Sequence, residues 1–346
     1  MLNNSPFVWK NASNRLSLRR AFYLSQTDMP KLFPFIKKWL LVVAMSLGVF
    51  GYFVADALFV DPVARRTVVH GVTSSLPYLL FLMLFLEFSK INPRDLFPKK
   101  WLVYCFVYQF GGGLAMIAVL LWAGLPVWTN GLWEGALVCL LCPTATAVAV
   151  MSAKLGGKAA SATTYAVLSS LFAALLIPAL FPIVAQNSAE LTFWTLFRKI
   201  FAKVFPVIIV PLLMSILMRE FTPSVHRWVA RFAKDKSFYL WAFCVMINTA
   251  QVLRIISMSL LDVPTTLFYC LFAALLCFEN FWTGKKFGDI CDDRLSAGQS
   301  LGQKNTILAI WVAMTFLHPT SGIVMGAYMI WQNIFNSLQL SYPKLR

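Results

Sequence analysis

Ten stretches of this chain are apolar over close to the 20 or so residues needed to cross a hydrocarbon core roughly 30 Å thick. They run over Trp39–Val60, Val72–Ser89, Trp101–Trp122, Leu132–Ser152, Ala159–Ala185, Ile200–Met218, Phe238–Met258, Val263–Thr283, Ser296–Phe316 and Gly322–Leu340. Short links, charged or marked by Pro and Gly, separate them, as in Lys90-Ile-Asn-Pro-Arg94 and Gly284-Lys-Lys286. No link is long enough for a second domain. The pattern predicts one all-α polytopic membrane domain over residues 39–340, with a basic tail (1–38) before it and a short C-terminus (341–346) after it. The tail is too long, and its apolar run begins too late, for a secretory signal, so the first span is expected to be retained. In that tail Phe33, Phe35 and Ile36, beside Lys31, Lys37 and Lys38, suit either the headgroup layer or a disordered segment.

Composition narrows the class. Of the 346 residues 59% are apolar, mean hydropathy is +0.70, and only 13% are Asp, Glu, Lys or Arg, against roughly 25% in a typical soluble domain. A water-soluble globule and a disordered chain are excluded. A formal charge of +16 would point to nucleic acid in a soluble protein, but here its distribution gives it another meaning. With the N-terminus in the cytoplasm, 23 of the 30 Lys and Arg residues fall on the cytoplasmic side of the spans and 6 on the outer side. The positive-inside rule asks for this asymmetry in a multi-pass protein of the plasma membrane or bacterial inner membrane with both termini cytoplasmic. Its partner is the lipid bilayer, and no nucleic acid is needed to explain the charge. The thirtieth basic residue, Lys304, lies inside a span.

Catalytic machinery is missing. Six of the seven cysteines lie in apolar runs and read as reduced packing residues; Cys139 and Cys142 form a CxxC, but no second pair or His completes a metal site. His70, His226 and His318 are scattered near span ends. No HExxH, Walker loop, GxSxG or kinase signature occurs, so neither an enzyme nor a cofactor or metal is expected.

Two segments break the apolar pattern at matching places, in the fourth span of each set of five. Cys142-Pro-Thr-Ala-Thr-Ala147 interrupts the fourth stretch: Pro143 removes a backbone donor, and Thr144 and Thr146 can serve the groups that the break frees. Gly298-Gln-Ser-Leu-Gly-Gln-Lys-Asn-Thr306 interrupts the ninth, placing Ser300, Gln303, Asn305 and Thr306 where lipid-facing sequence would be Leu or Val. Interrupted helices at corresponding positions in two halves are the sequence pointer to an inverted-repeat transporter, here with repeats over 39–185 and 200–340. Half-helix N-termini in such breaks attract an anion. Lys304 sharpens this, because an ammonium at the bilayer centre costs at least about 2.5–3.5 kcal/mol on insertion scales. Glu279 is its candidate partner. Lys304 either forms a structural pair, or binds an anionic substrate, or changes protonation during transport.

At these two segments, and more weakly throughout the spans, the chain resembles the bile acid:sodium symporter family. Cys142-Pro143-Thr144-Ala145-Thr146 stands against the family's Cys-Pro-Gly-Gly-Thr, and Ser300-Leu-Gly-Gln-Lys-Asn305 against Glu-Val-Gly-Met-Gln-Asn. Gln109-Phe110 in the third span, Glu279-Asn280 in the eighth and Trp331-Gln332-Asn333 in the tenth follow in the family's order. The resemblance implies ten helices in two inverted five-helix repeats, with broken helices four and nine crossing in a core domain beside a panel domain. It also implies transport of a small organic anion, a carboxylate or bile-acid-like molecule, usually driven by sodium. Carried over by position, Thr146, Asn305, Gln332 and Asn333 touch substrate; the breaks themselves add Thr144, Gln303 and Thr306.

The sodium ligands do not carry over. Val148 and Ala149 replace a Ser-Asn pair, Ala162 and Ala166 replace hydroxyls, Ser300 replaces a Glu and Lys304 a Gln, leaving Gln109 as a side-chain donor. The expectation is therefore sodium-independent transport, with Lys304 in place of a sodium ion and with Lys304, Glu279, Gln109 and Ser300 concerned in coupling, protons being the alternative coupling ion. A non-transporting sensor on the same scaffold, or a sodium symporter with rearranged ion sites, are the competing expectations.

Overall fold

The apolar stretches form helices, the fourth and ninth two each, because a backbone out of contact with water satisfies its N–H and C=O groups most readily within the segment. The computed structural model describes residues 32–58, 61–92, 96–126, 129–145, 147–185, 192–259 and 261–341. The helices are α1 (Leu32–Leu58), α2 (Pro62–Ser89), α3 (Lys100–Trp122), α4 (Asn130–Leu141), α5 (Val148–Leu155), α6 (Ala159–Val184), α7 (Phe193–Phe221), α8 (Pro223–Met258), α9 (Val263–Asp289), α10 (Arg294–Gly302), α11 (Thr306–Phe316) and α12 (Ser321–Ser341). Residues 1–31 of the basic tail and 342–346 lie outside the described residues.

Among the described residues five helices are long and apolar enough to cross a membrane on their own: α3, α6, α7, α9 and the Tyr239–Met258 part of α8. Among the described residues, shorter apolar helices occupy Asn130–Leu141 and Thr306–Phe316, and α1 and α2 carry apolar stretches over Val42–Leu58 and Ser74–Ser89. Departures from continuous spans elsewhere have physical causes. The fourth and ninth stretches are each cut into α4/α5 and α10/α11, and α12 carries Gln332, Asn333, Asn336 and Gln339. Helices also outrun the apolar stretches that seeded them. The stretch expected over Ile200–Met218 lies within α7, and that over Phe238–Met258 is the second part of α8, since polar residues continue a helix as readily as apolar ones.

Local signals set the boundaries. Asp262 caps α9 by accepting from Thr265 N at 3.2 Å. Gly156 ends α5 at φ 96°, a left-handed conformation that suits glycine. In packing, α1 lies on α8, α8 on α2, and α2 on α7; a second group comprises α3–α6 with α9–α12, and the two groups meet chiefly where α6 packs on α7 and α12 on α8.

The turn from α9 into α10 is tied to its surroundings by one carboxylate. Asp293 Oδ2 accepts from Trp101 Nε1 of α3 at 3.1 Å and from Ser161 Oγ of α6 at 2.7 Å, and all three residues are buried. Asp293→Ala strands Trp101 Nε1 and leaves Ser161 Oγ with Lys158 O, at 3.1 Å, as its acceptor, so thermal unfolding in detergent should show a loss of about 1–3 kcal/mol. Asp293→Asn keeps an acceptor oxygen and should lose distinctly less.

Candidate functional site at the two helix breaks

The two interruptions meet. Cys142 to Ala145 leaves α4 in an extended conformation at Cys142, Gln303 to Asn305 links α10 to α11, and the two segments pair as an isolated antiparallel bridge at Thr144 and Lys304. Two backbone hydrogen bonds make the bridge: Ala145 N donates to Gln303 O at 3.0 Å and Asn305 N to Pro143 O at 2.8 Å. Pairing across the breaks supplies partners that each broken helix has lost, which a water-free interior demands.

Side chains satisfy most of the rest. Thr144 Oγ1 donates to Ser300 O at 2.5 Å, and Thr144 N donates to Ser169 Oγ at 3.1 Å. Gln109 lies in a π-helical turn of α3, Val107–Gly111, a distortion frequent at functional sites. From there it donates Nε2 to Cys142 O at 2.9 Å while its Oε1 accepts from Tyr165 Oη at 2.6 Å. Lys304 N donates to Gln332 Oε1 at 3.0 Å, Tyr328 Oη to Gly302 O at 2.8 Å, and Asn305 Oδ1 caps α11 by accepting from Leu308 N at 3.2 Å.

One cation stands out against this satisfied frame. The Lys304 side chain is 0% exposed, and its Nζ has no hydrogen-bond partner among the described residues. Cys142, Cys139, Cys105 and Glu279 lie within its electrostatic reach. The sequence offered Glu279 as an ion-pair partner, but its carboxylate accepts instead from Tyr108 Oη and, at 3.1 Å, from Thr283 Oγ1, and among the described residues no salt bridge joins it to Lys304. Ser300 Oγ is the second buried group at the crossing without a partner among the described residues.

The structure thus brings Thr144, Ser300, Gln303, Lys304, Asn305, Gln109 and Gln332 into one connected site. Thr306 is buried at the start of α11, and Thr146 lies outside the described residues. Asn333 is half-buried on α12 and its Nδ2 donates to Met329 O, so it is not part of the network. Sequence reasoning missed Tyr108, Tyr165, Ser169 and Tyr328. It also missed a chain running from Gln303 to Gln299 at 2.8 Å and on to Gln339 at 2.7 Å. Its signal was legible: Gln299 and Gln303 are four residues apart on one helix, and Gln332, Asn336 and Gln339 share a face of another.

Where the resemblance would put sodium ligands, Val148, Ala162 and Ala166 pack together as a small buried apolar cluster. These side chains hold no oxygen, so they do not fit a bound hard cation, which needs several oxygen donors. A sequence model of the Sodium Bile acid symporter family matches residues 77–259, from within α2 to the end of α8, and includes the first of the two breaks. No curated protein matches the chain.

Proposed function

The chain belongs to the Sodium Bile acid symporter family, and from this premise we propose that it is a secondary active transporter of an organic anion whose Lys304 ammonium stands in for a sodium ion. Transport of the bile acid symporter kind comes with the family, whose members are transporters and not enzymes. Independence from sodium and the ten crossings in two inverted repeats are our reading.

The observation that carries it is the fully buried Lys304 Nζ at the contact of the two breaks, which has no hydrogen-bond partner among the described residues. A charge so placed costs several kcal/mol unless an opposite charge arrives to meet it. An anionic substrate between the domains supplies that charge, and the N-terminus of α11, which begins one residue beyond Asn305, adds positive potential. Two further features support the reading. The cluster of Val148, Ala162 and Ala166 offers a cation nothing to bind, while Lys304 occupies the position of a ligating Gln. Proton coupling through Lys304 or Glu279 supplies the driving force in this scheme. The excess of basic residues on one side supports a cytoplasmic location for both termini.

A thermal-shift screen of organic acids on the purified protein identifies the ligand, since one present at 100 times its Kd adds about 2.7 kcal/mol to apparent stability. Uptake of that acid into proteoliposomes should then proceed at the same rate when choline replaces sodium, and should rise when a pH gradient is imposed. A clear sodium requirement would overturn the proposal in favour of a symporter with rearranged ion sites. Ligand binding without flux would instead favour a sensor.

A further inference from the structure

Helix α8 begins at Pro223, fifteen residues before the apolar stretch Phe238–Met258 that the sequence marks as a membrane span. His226, Val229, Ala233 and Ser237 are buried on one face of this leading segment, where Val229 and Ala233 pack with Leu86 and against Phe85, Met218 and Leu240. The other side is apolar as well. Val225, Trp228 (62% exposed) and Phe232 (45% exposed) form a stripe, with Phe221 exposed at the corner before it; beyond the exposed Lys236, whose Nζ lies over the Tyr239 ring at 6.0 Å, aromatic residues resume at Tyr239 and Phe243. Trp228 and Phe232 stack, their ring centroids 5.8 Å apart and planes 17° from parallel. Adjacent to the stripe, on the next face round, Arg227, Arg231 and Lys234 are exposed, and Arg227 and Arg231 are steadied by bonds to Ser224 Oγ and Arg227 O.

Such a surface is ill-suited to water. If α8 stood upright, Trp228 would lie about 16 Å beyond Tyr239 at 1.5 Å per residue, past the headgroup layer. An aromatic stripe flanked by basic residues fits a segment lying obliquely along the boundary of acyl chains and headgroups, rings inward and cations among phosphates. The stretch 219–236 contains five basic residues against Glu220 and Asp235. His226 adds no charge, because burial, and then Arg219 beside it, holds its imidazole below the usual range.

We propose that the leading segment of α8 is a binding surface for anionic phospholipid headgroups, with Arg227, Arg231 and Lys234 contacting phosphate and Val225, Trp228 and Phe232 the acyl boundary. The segment also abuts α2 and the end of α7, through Leu86 and Met218. A headgroup bound there therefore braces the corner where these helices meet.

The test uses the full chain in detergent, titrated with phosphatidylglycerol or phosphatidylcholine, with bound lipid read by native mass spectrometry. The wild type should retain phosphatidylglycerol preferentially, and the preference should fade between about 0.05 and 0.5 M salt. Arg231→Gln should weaken retention about fivefold and Arg227→Gln/Arg231→Gln/Lys234→Gln about a hundredfold, as expected for charges near an anionic surface. Arg227→Lys/Arg231→Lys should keep it. Lys99→Gln/Lys100→Gln, which removes two cations at the start of α3 and leaves α8 unchanged, should change it little. Equal retention of the two lipids by the wild type would overturn the proposal, as would a loss in the triple variant no larger than in the Lys99/Lys100 control. If the triple variant fails to fold, Arg231→Gln and the salt dependence of the wild type decide the matter alone. None of this depends on what the protein transports.

Discussion

Lys304→Gln abolishes concentrative uptake and leaves a protein that melts no earlier than the wild type. The two halves of this expectation have one cause. Lys304 is fully buried, and its Nζ has no hydrogen-bond partner among the described residues, so in the resting protein its charge costs stability and returns little. The backbone of Lys304 is another matter, since its N–H donates to Gln332, and a glutamine keeps that bond. Against substrate the charge acts differently. Removing one member of a buried charge pair costs about 2–5 kcal/mol, so binding of an organic anion should weaken at least about thirtyfold. The measurement is uptake and ligand-dependent thermal shift on one preparation. If the variant still accumulates substrate under a pH gradient, Lys304 is not the proton carrier. If it melts well below the wild type, the lysine is structural after all.

The largest loss of stability is expected from Gly284→Leu. A side chain at this point of α9 has no room: a Cβ would stand 2.6 Å from Ala297 O and 2.9 Å from Gly298 Cα, both backbone atoms of α10. Backbone cannot rotate aside as a side chain can, so the helices must separate. Overpacking costs typically about 1–3 kcal/mol, and with backbone on the far side the upper end of that range applies. Because α10 leads directly into the crossing, displacement also shifts Lys304. Gly51→Leu is the control, for a Cβ there has nothing within 4 Å, and its effect should stay within about 0.5 kcal/mol. Thermal unfolding in detergent, with size-exclusion profiles, reads both. Equal melting of the two variants would refute the close-packed hairpin.

Apolar periodicity made the helices legible, and the two breaks could be located because Pro143 and the run Gln303-Lys304-Asn305 are so unlike lipid-facing sequence. That the breaks pair by backbone hydrogen bonds was not readable, since such bonds leave no side-chain trace. Charge alone made Glu279 look like the partner of Lys304; the competing donors, Tyr108 and Thr283, become visible only when α3 and α9 are placed together. The leading segment of α8 was counted as a basic link between spans, because its polar residues hid a helix with one buried face. The close approach of α9 and α10 did have a sequence signature. Gly284 and Gly288, like Gly298 and Gly302, follow the four-residue spacing that lets membrane helices touch.

The bridge between Thr144 and Lys304 has a consequence for how such a protein diversifies. Main-chain atoms hold it, Ala145 to Gln303 and Asn305 to Pro143, so the bridge itself does not depend on which side chains occupy positions 145 and 304. Those positions form an interchangeable socket: a new chemical group can be inserted by a single codon change without rebuilding the frame around it. A lysine at position 304 is the kind of residue this arrangement permits. Proteins with this crossing should therefore vary in what drives them far more than in how they fold.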